Sequence, residues 1–382
     1  MNIQKIIPTA KRILEQYSFC DACLGRLFSK KLNLKSNKKL GQKIKLQSNY
    51  EDDKCFICKN LMDNLKPYLE LMLEKSSDYQ YSTFVVGAIL KPSIIDRDDF
   101  IRSKFKLKGI DSIKTDLTHE LSNYFKRKTR KIIDPLDPEL TLTVNTKDKS
   151  CEVRSKYLIF SSRYSKFKRG MPQKQKRCSN CNGKGCMECN MHGITSFDSV
   201  EGVFSKFLFE KFGGTFAKFT WIGGEDKNSL VYEPGRLFFV KLQNPNNRRI
   251  RIPSKIKQNS LLFTQTKIIS DLPKQPVQFH SLIEMDITTN DALDPSNLKA
   301  LKKLPKSTVI VYENSGKRSE KSVYSLKYKK IAKNNLRIFI DVDGGLPIKR
   351  FVDDSNVVPN LETLLNDKCK CKFFDFHKIC LQ

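Results

Sequence analysis

Eight of the twelve cysteines stand in four C-x-x-C pairs: Cys20/Cys23, Cys55/Cys58, Cys178/Cys181 and Cys186/Cys189. No other feature limits the fold as tightly. A C-x-x-C turn puts two sulfurs on one edge of a tetrahedron, and a second pair completes four thiolates around zinc. The last two pairs form CSNCNGKGCMEC, a knuckle in which Gly183 and Gly185 allow the positive φ that so short a turn needs. The first two are separated by 31 residues, so that quartet must clamp distant segments. Four thiolates leave no open coordination position, so both zinc sites are expected to be structural. His192 could replace a knuckle ligand, but a solvent-facing ring is the expectation. Cys151, Cys369, Cys371 and Cys380 are read as packing residues, with Cys369 and Cys371 close enough to test for metal. Paired thiols of this spacing point to a reducing compartment.

The rest of the chain agrees with an intracellular protein. No apolar run approaches the ~20 residues that span a bilayer. The N-terminal stretch, with Ile6, Ile7, Ile13 and Leu14 among charges, reads as an amphipathic helix with no signal-peptide core. A cytoplasmic, soluble protein is expected. In 382 residues, 70 basic side chains face 41 acidic ones, a formal net charge of +29 spread along the whole chain. Such a surface favours a polyanion, foremost nucleic acid. With 25 Phe and 12 Tyr there is core material for two or three domains. No coiled coil is visible and a monomer is expected.

Three segments follow from pattern. Residues 1–80 read as a helical segment tied by the first quartet, with Leu61, Leu65, Leu69 and Leu73 on one helix face. Residues 81–172 read as a small α/β module. It contains strands at 84–90, 139–145 and 151–160, and a helix around DSIKTDLTHELSNYFKRKTRK. Its end, SSRYSKFKRGMPQ, offers Arg163, Tyr164, Lys166, Lys168 and Arg169 to a phosphate backbone. Residues 30–48 and 163–177 are the candidate backbone-gripping surface. Residues 173–382 hold the knuckle (178–193), a helix from SFDSVEGVFSKFLFEKFGG, and alternating strands and short helices. That is an α+β domain with a mixed, mostly antiparallel sheet flanked by helices.

One loop asks for a chemical explanation. In WIGGEDKNSLVYEPGRLFF, Glu225-Asp226 follows two glycines and precedes Gly235-Arg236. Alone, an acidic pair in a glycine turn is a solvated turn.

Six stretches, in order, change that reading: CDACLGRLF, SSRYSKFKRGMPQ, CSNCNGKGCMECNMHG, DSVEGVF, GGEDKNSLVYEPGRLFFVKLQNPNNR and GGLPIKRFVDD. Over nearly its whole length the chain resembles the archaeal-type tRNA pseudouridine synthases, the family numbered ten in its series. The resemblance implies an N-terminal THUMP-like RNA-binding module, a C-terminal pseudouridine synthase domain, and tRNA as partner. It implies isomerisation of a T-arm uridine, at position 54, 55 or both. The reaction is redox-neutral and needs no catalytic cofactor. The chain accordingly has no GxxxxGK[ST] loop and no dinucleotide fingerprint.

By this resemblance the catalytic aspartate falls on Asp226. Relatives often carry arginine where Gly224 stands, so its role would pass to Lys227, Arg236 or Arg163, or be absent. The ring that stacks on uracil falls on Phe279 or His280. Ile348 would line the base pocket, Lys349 would meet the carboxylate or a phosphate, and the last pocket position falls on Phe374. Other THUMP-bearing enzymes would need an SGGxDS-type pyrophosphatase loop or a methyltransferase cofactor loop, and neither is present. The remaining alternative is a tRNA-binding zinc protein without activity.

Overall fold

The computed structural model describes residues 3–32, 36–48, 50, 54–313 and 315–382. The chain divides into two compact units, Met1–Lys156 and Tyr157–Gln382.

The first unit opens with helices α1 (Ile7–Leu14), α2 (Asp21–Leu32), α3 (Asn37–Ser48) and α4 (Lys66–Ser76). Helices α2 and α3 cross at two glycines. A Cβ on Gly25 would lie 1.8 Å from Asn37 O, and one on Gly41 would lie 1.9 Å from Asp21 O, so any side chain there would drive the helices apart. The four leucines of the stripe all pack on this unit's core, Leu65 at 4% exposure, but they do not share one helix. Leu61 lies in a 3-10 turn, Leu69 and Leu73 are half-buried, and the helix buries Tyr68, Met72 and Ser76. The cause is the start of α4 at Lys66-Pro67, which breaks the four-residue register.

There follow β1 (Thr83–Ile89), α5 (Pro92–Lys104), α6 (Ile113–Thr129), β2 (Ile132–Ile133), β3 (Leu140–Asn145) and β4 (Ser150–Ser155). The sheet order is β2-β1-β3-β4, with β1 parallel to both neighbours and β3–β4 a hairpin. Leu140, Leu142 and Val144 are buried while their neighbours are not, the alternation of a sheet covered on one face.

The second unit is built on an eleven-stranded sheet. In chain order its elements are β5 (Leu158–Lys166), α7 (Val200–Phe212), β6 (Phe216–Trp221), β7 (Val231–Gln243) and β8 (Lys255–Gln258). Next come β9 (Leu261–Ile269), β10 (Phe279–Thr289), α8 (Pro295–Leu301), β11 (Thr308–Tyr312) and β12 (Arg318–Ala332). The chain ends with β13 (Asn335–Asp343), α9 (Ile348–Asp353), β14 (Val357–Val358), α10 (Leu361–Leu365) and β15 (Cys369–Leu381). The order is β14-β11-β12-β13-β10-β15-β7-β5-β9-β8, with β6 also on β7. All pairs are antiparallel except β7–β15.

Here the expected strand 151–160 divides. Residues 150–155 pair in the first sheet, whereas β5 pairs with β7 and β9 inside the second. Residues 158–172, expected with the preceding module, thus lie in the second unit, because sheet pairing and not sequence proximity decides membership.

Helix α7 shows how the core forms. Ser199 Oγ caps it by accepting from Gly202 N at 2.9 Å, which stabilises by about 1 kcal/mol relative to alanine. Its Val200, Val203, Phe204, Phe207, Leu208 and Phe212 are buried, and Phe204 meets Phe238 and Phe263 with centroids 4.9 Å apart. No described helix is long and apolar enough to cross a membrane.

Candidate active site and metal centres

The Glu225-Asp226 loop joins β6 to β7 and is fastened from below. Lys166, the last residue of β5, is fully buried. Its Nζ donates to Met171 O at 2.9 Å, Asp226 O at 3.2 Å and Lys227 O at 3.3 Å, and lies 2.9 Å from Glu225 Oε1. Glu225 has no exposed side-chain surface, and its Oε2 lies 3.6 Å from Arg236 Nε. Burial and the Glu225 charge raise the Tyr164 phenol well above its usual pKa, so it stays neutral and accepts from Gln173 at 2.9 Å. From the side, Arg169 grips Asp375 with two 2.6 Å bonds and donates to Asn228 O at 2.5 Å, while Asp375 accepts from Leu230 N at 2.8 Å.

Asp226 is thereby presented upward. Its Oδ1 accepts from Asn228 N at 2.9 Å, and its Oδ2 accepts from Lys349 Nζ at 2.7 Å. Partial burial pushes the carboxyl pKa up, but the Lys349 bond, the Asn228 amide and the nearby Lys166 charge outweigh it. The net result lies below the ordinary aspartate value, and the group is ionised at neutral pH. The same bond raises the Lys349 ammonium.

Beside the loop opens a cavity of about 180 Å³, lined by Arg236, Phe279, Ser281, Leu346 and Phe376 among others. Pockets for drug-sized ligands run to roughly 300–1,000 Å³, so this one suits a single ring. Phe279 is held by two glycines: a Cβ on Gly223 would lie 2.7 Å from its ring, and one on Gly344 would lie 2.4 Å from it. The Arg236 guanidinium sits 4.3 Å over the Phe376 ring and donates to Ile222 O at 3.0 Å.

The structure separates residues that sequence left together. Phe279 lines the cavity. His280, one residue on, points to the opposite sheet face, where its Nδ1 lies 2.6 Å from Asp341 Oδ1. Of the cations considered in place of an arginine at Gly224, Arg236 pairs with Glu225, and Arg163 donates to Gly235 O at 2.8 Å. Lys227 is exposed. The side chain that meets Asp226 is Lys349. At Gly224 an added Cβ would find only Gln173 Oε1, at 3.9 Å.

Ile348 is 4% exposed and Phe374 is 7% exposed; both pack in the core and neither lines the cavity. Tyr164 and Lys166, expected on an RNA-gripping surface, have no exposed area, because β5 is paired on both edges and covered on both faces. Lys168 is exposed, and Arg169 is spent on Asp375. Of the stretch 30–48, residues 33–35 lie outside the described residues. Sequence reasoning missed Ser281, Phe376 and the Lys166–Glu225 pair. Period-2 spacing from Phe279 could have found Ser281, but nothing local marks the others.

The cysteines gather as their spacing implies. Cys20, Cys23, Cys55 and Cys58 form one group and Cys178, Cys181, Cys186 and Cys189 another, each with sulfurs within 4.8 Å of one another. Tetrahedral zinc with Zn–S of about 2.3 Å needs S···S separations near 3.8 Å. Cys178–Cys186 at 3.9 Å, Cys181–Cys189 at 3.8 Å and Cys186–Cys189 at 3.7 Å fit this. Both quartets could therefore hold structural zinc. His192 is not part of the group. It stacks on Phe209 at 3.8 Å and its Nδ1 donates to Thr215 O.

The comparisons with known proteins agree along the chain. Residues 68–145 match the family model for the archaeal Pus10 THUMP domain, and residues 159–379 match that for the Pus10 C-terminal domain. The chain is 54% identical to the tRNA pseudouridine synthase Pus10 of Nitrosopumilus maritimus, over 98% of both chains. It is 34% identical to the protein of the same name from Cenarchaeum symbiosum, over 96% of this chain and 90% of that one. It is 26% identical to the one from Methanocaldococcus jannaschii, over 99% and 97%. With an ionised aspartate in a braced loop, a one-ring cavity beside it and matches over both units, the chain belongs to the Pus10 family of tRNA pseudouridine synthases.

Proposed function

We propose that the protein isomerises uridine to pseudouridine in the T arm of tRNA, at position 54, 55 or both, with Asp226 as the catalytic carboxylate. The observation that carries this reading is the Lys349-paired, ionised Asp226, in a loop whose Gly223 and Gly224 line a cavity sized for one ring.

The chemistry breaks the N1–C1′ bond, turns the uracil, and forms a C5–C1′ bond while the C5 proton is lost and N1 gains one. Electrons balance within the substrate. A carboxylate acting as nucleophile or base at the ribose or the ring must be charged and fixed in place. Lys349 keeps the charge, and Lys166 holds the main-chain carbonyl of the same residue. A uridine stacked in a folded loop must be flipped out to reach it, and Phe279 offers a face for the flipped base. Ile348 and Phe374 act from the core behind the pocket, as backing for the residues that touch the base. Arg163 braces the strand carrying Arg236 through Gly235 O. The THUMP unit and the exposed Lys168 supply phosphate contacts to tRNA.

The test is an unmodified tRNA transcript incubated with wild type and with Asp226→Ala, followed by chemical mapping of pseudouridine. Asp226→Ala is expected to lose isomerisation and keep tRNA affinity within a few-fold. A variant that still isomerises uridine overturns the assignment. A wild-type protein that binds but never isomerises would leave a zinc-bearing tRNA binder.

A further inference from the structure

Two polar groups lining the cavity are buried without a partner. Arg236 is 1% exposed. Its Nη1 donates to Ile222 O and its Nε faces Glu225, but Nη2 has no hydrogen-bond partner among the described residues. Ser281 is 2% exposed, and its Oγ is likewise unpartnered. Buried polar groups are nearly always satisfied, and an orphan is costly to keep. Two orphans in one cavity of about 180 Å³ suggest a ligand that brings their partners with it.

We propose that Arg236 and Ser281 read the imide edge of the flipped uracil. Arg236 Nη2 donates to a ring carbonyl, and Ser281 Oγ accepts from N3–H. The inference rests on the reading of Asp226 as the carboxylate that isomerises uridine. It goes further in naming what selects the base.

The chemistry of the two groups supports that choice. A guanidinium only donates, so it can meet a carbonyl oxygen but not the exocyclic amine of cytosine. The uracil edge runs acceptor, donor, acceptor, and cytosine offers no N–H at N3. Of the other walls, Phe279, Ile283, Leu346 and Phe376 bring no side-chain hydrogen-bond groups, and the Asp343 carboxylate is already engaged by the Tyr324 hydroxyl and the Ser322 amide. Arg236 is also held still. It is stacked on Phe376, and Gly223 leaves it room, since a Cβ there would lie 2.6 Å from Nη1. A serine hydroxyl can also donate, so the rejection of cytosine falls chiefly to Arg236, which cannot accept from an amine.

The experiment uses the full chain and unmodified tRNA transcripts, with steady-state pseudouridine formation and thermal melting as readouts. Ser281→Ala removes an orphan hydroxyl, so it is expected to melt at or above the wild-type temperature while kcat/KM falls about tenfold. Arg236→Lys keeps a cation for Glu225 but lacks Nη2, and is expected to lose about a hundredfold. Transcripts with 2-thiouridine or 4-thiouridine at the modified position show which carbonyl Arg236 reads. One of them should slow the wild type more than it slows Arg236→Lys.

A Ser281→Ala protein with wild-type rate overturns the proposal, as do thio-substituted substrates that slow both enzymes equally. If Arg236→Lys fails to fold, Ser281→Ala decides. Asp226→Asn serves as the control. If it is active, the underlying reading fails; if it is inactive and Ser281→Ala is unimpaired, only the base-reading role fails.

Discussion

Asp226 and Glu225 are adjacent in sequence and opposite in circumstance. Glu225 is sealed between Lys166 and Arg236, whereas Asp226 keeps about a quarter of its side chain open and shares one hydrogen bond with an exposed lysine. The buried acid anchors the loop, and the open one lies two residues from Gly224, which lines the cavity. Because Lys349 is the largest of the influences that lower the Asp226 pKa, Lys349→Met should move that carboxyl back up toward or above the ordinary value of about 3.9. A ¹³C carboxyl titration checks the shift, and an unchanged midpoint would remove Lys349 from this role. Sequence carried much of this residue-level picture. Asp226, Phe279 and Lys349 were all singled out, and the Lys349–Asp226 contact spans 123 positions. Two things were hidden. Parity within β10 decides between Phe279 and His280, and it depends on the register with β13 and β15. The burial of Lys166 depends on neighbours far along the chain, so a basic run looked like surface when one of its members is core.

Among the elements, α6 carries a charge that the first unit holds at a cost. Asp116 lies beside Arg26, which is also paired with Asp98 and donates to Asp111 O at 2.8 Å. Burial raises the Asp116 carboxyl to about 6 despite that cation and an Asn37 bond of 2.6 Å. An acid whose pKa is raised on folding is favoured in its neutral form. Its contribution is full below about 3.9 and is lost as pH rises through about 6. Asp116→Asn should therefore be more stable than wild type at pH 7, by on the order of 1–2 kcal/mol, and the gap should close by pH 4. Melts at both pH values test this; a gap independent of pH would assign the group differently. The zinc quartets are elements of another kind, and here the spacing alone foretold the grouping. Elemental analysis is expected to find two zinc ions per chain, and a folded, active, zinc-free preparation would contradict it. The leucine stripe misled as to helix extent because Leu61 and Leu65 precede α4, whose start a proline fixes at Lys66-Pro67.

At the scale of the whole molecule, the +29 charge makes a phosphate-dominated grip on tRNA the expected binding mode. A grip through six or more phosphates loses about 10³-fold or more in affinity between 50 and 200 mM salt. Titrations across that range should show a steep log–log slope, and a flat one would exclude a phosphate-dominated grip. The α+β class was legible from composition and pattern, because helical and alternating stretches are local signals, whereas pattern divided the chain in three and its contacts divide it in two. The boundary was not, because it depends on where β5 pairs. That strand leaves the ribosome before the knuckle, α7 and β6, and must wait for β7 and β9 before either of its edges is satisfied. The first strand of this sheet thus stays unpaired on both edges until residues 231–269 have emerged. A protease that cut the chain within the knuckle segment 178–193 would sever a covalent link without separating its two sides, since β5 would remain laced into the sheet by hydrogen bonds along both edges.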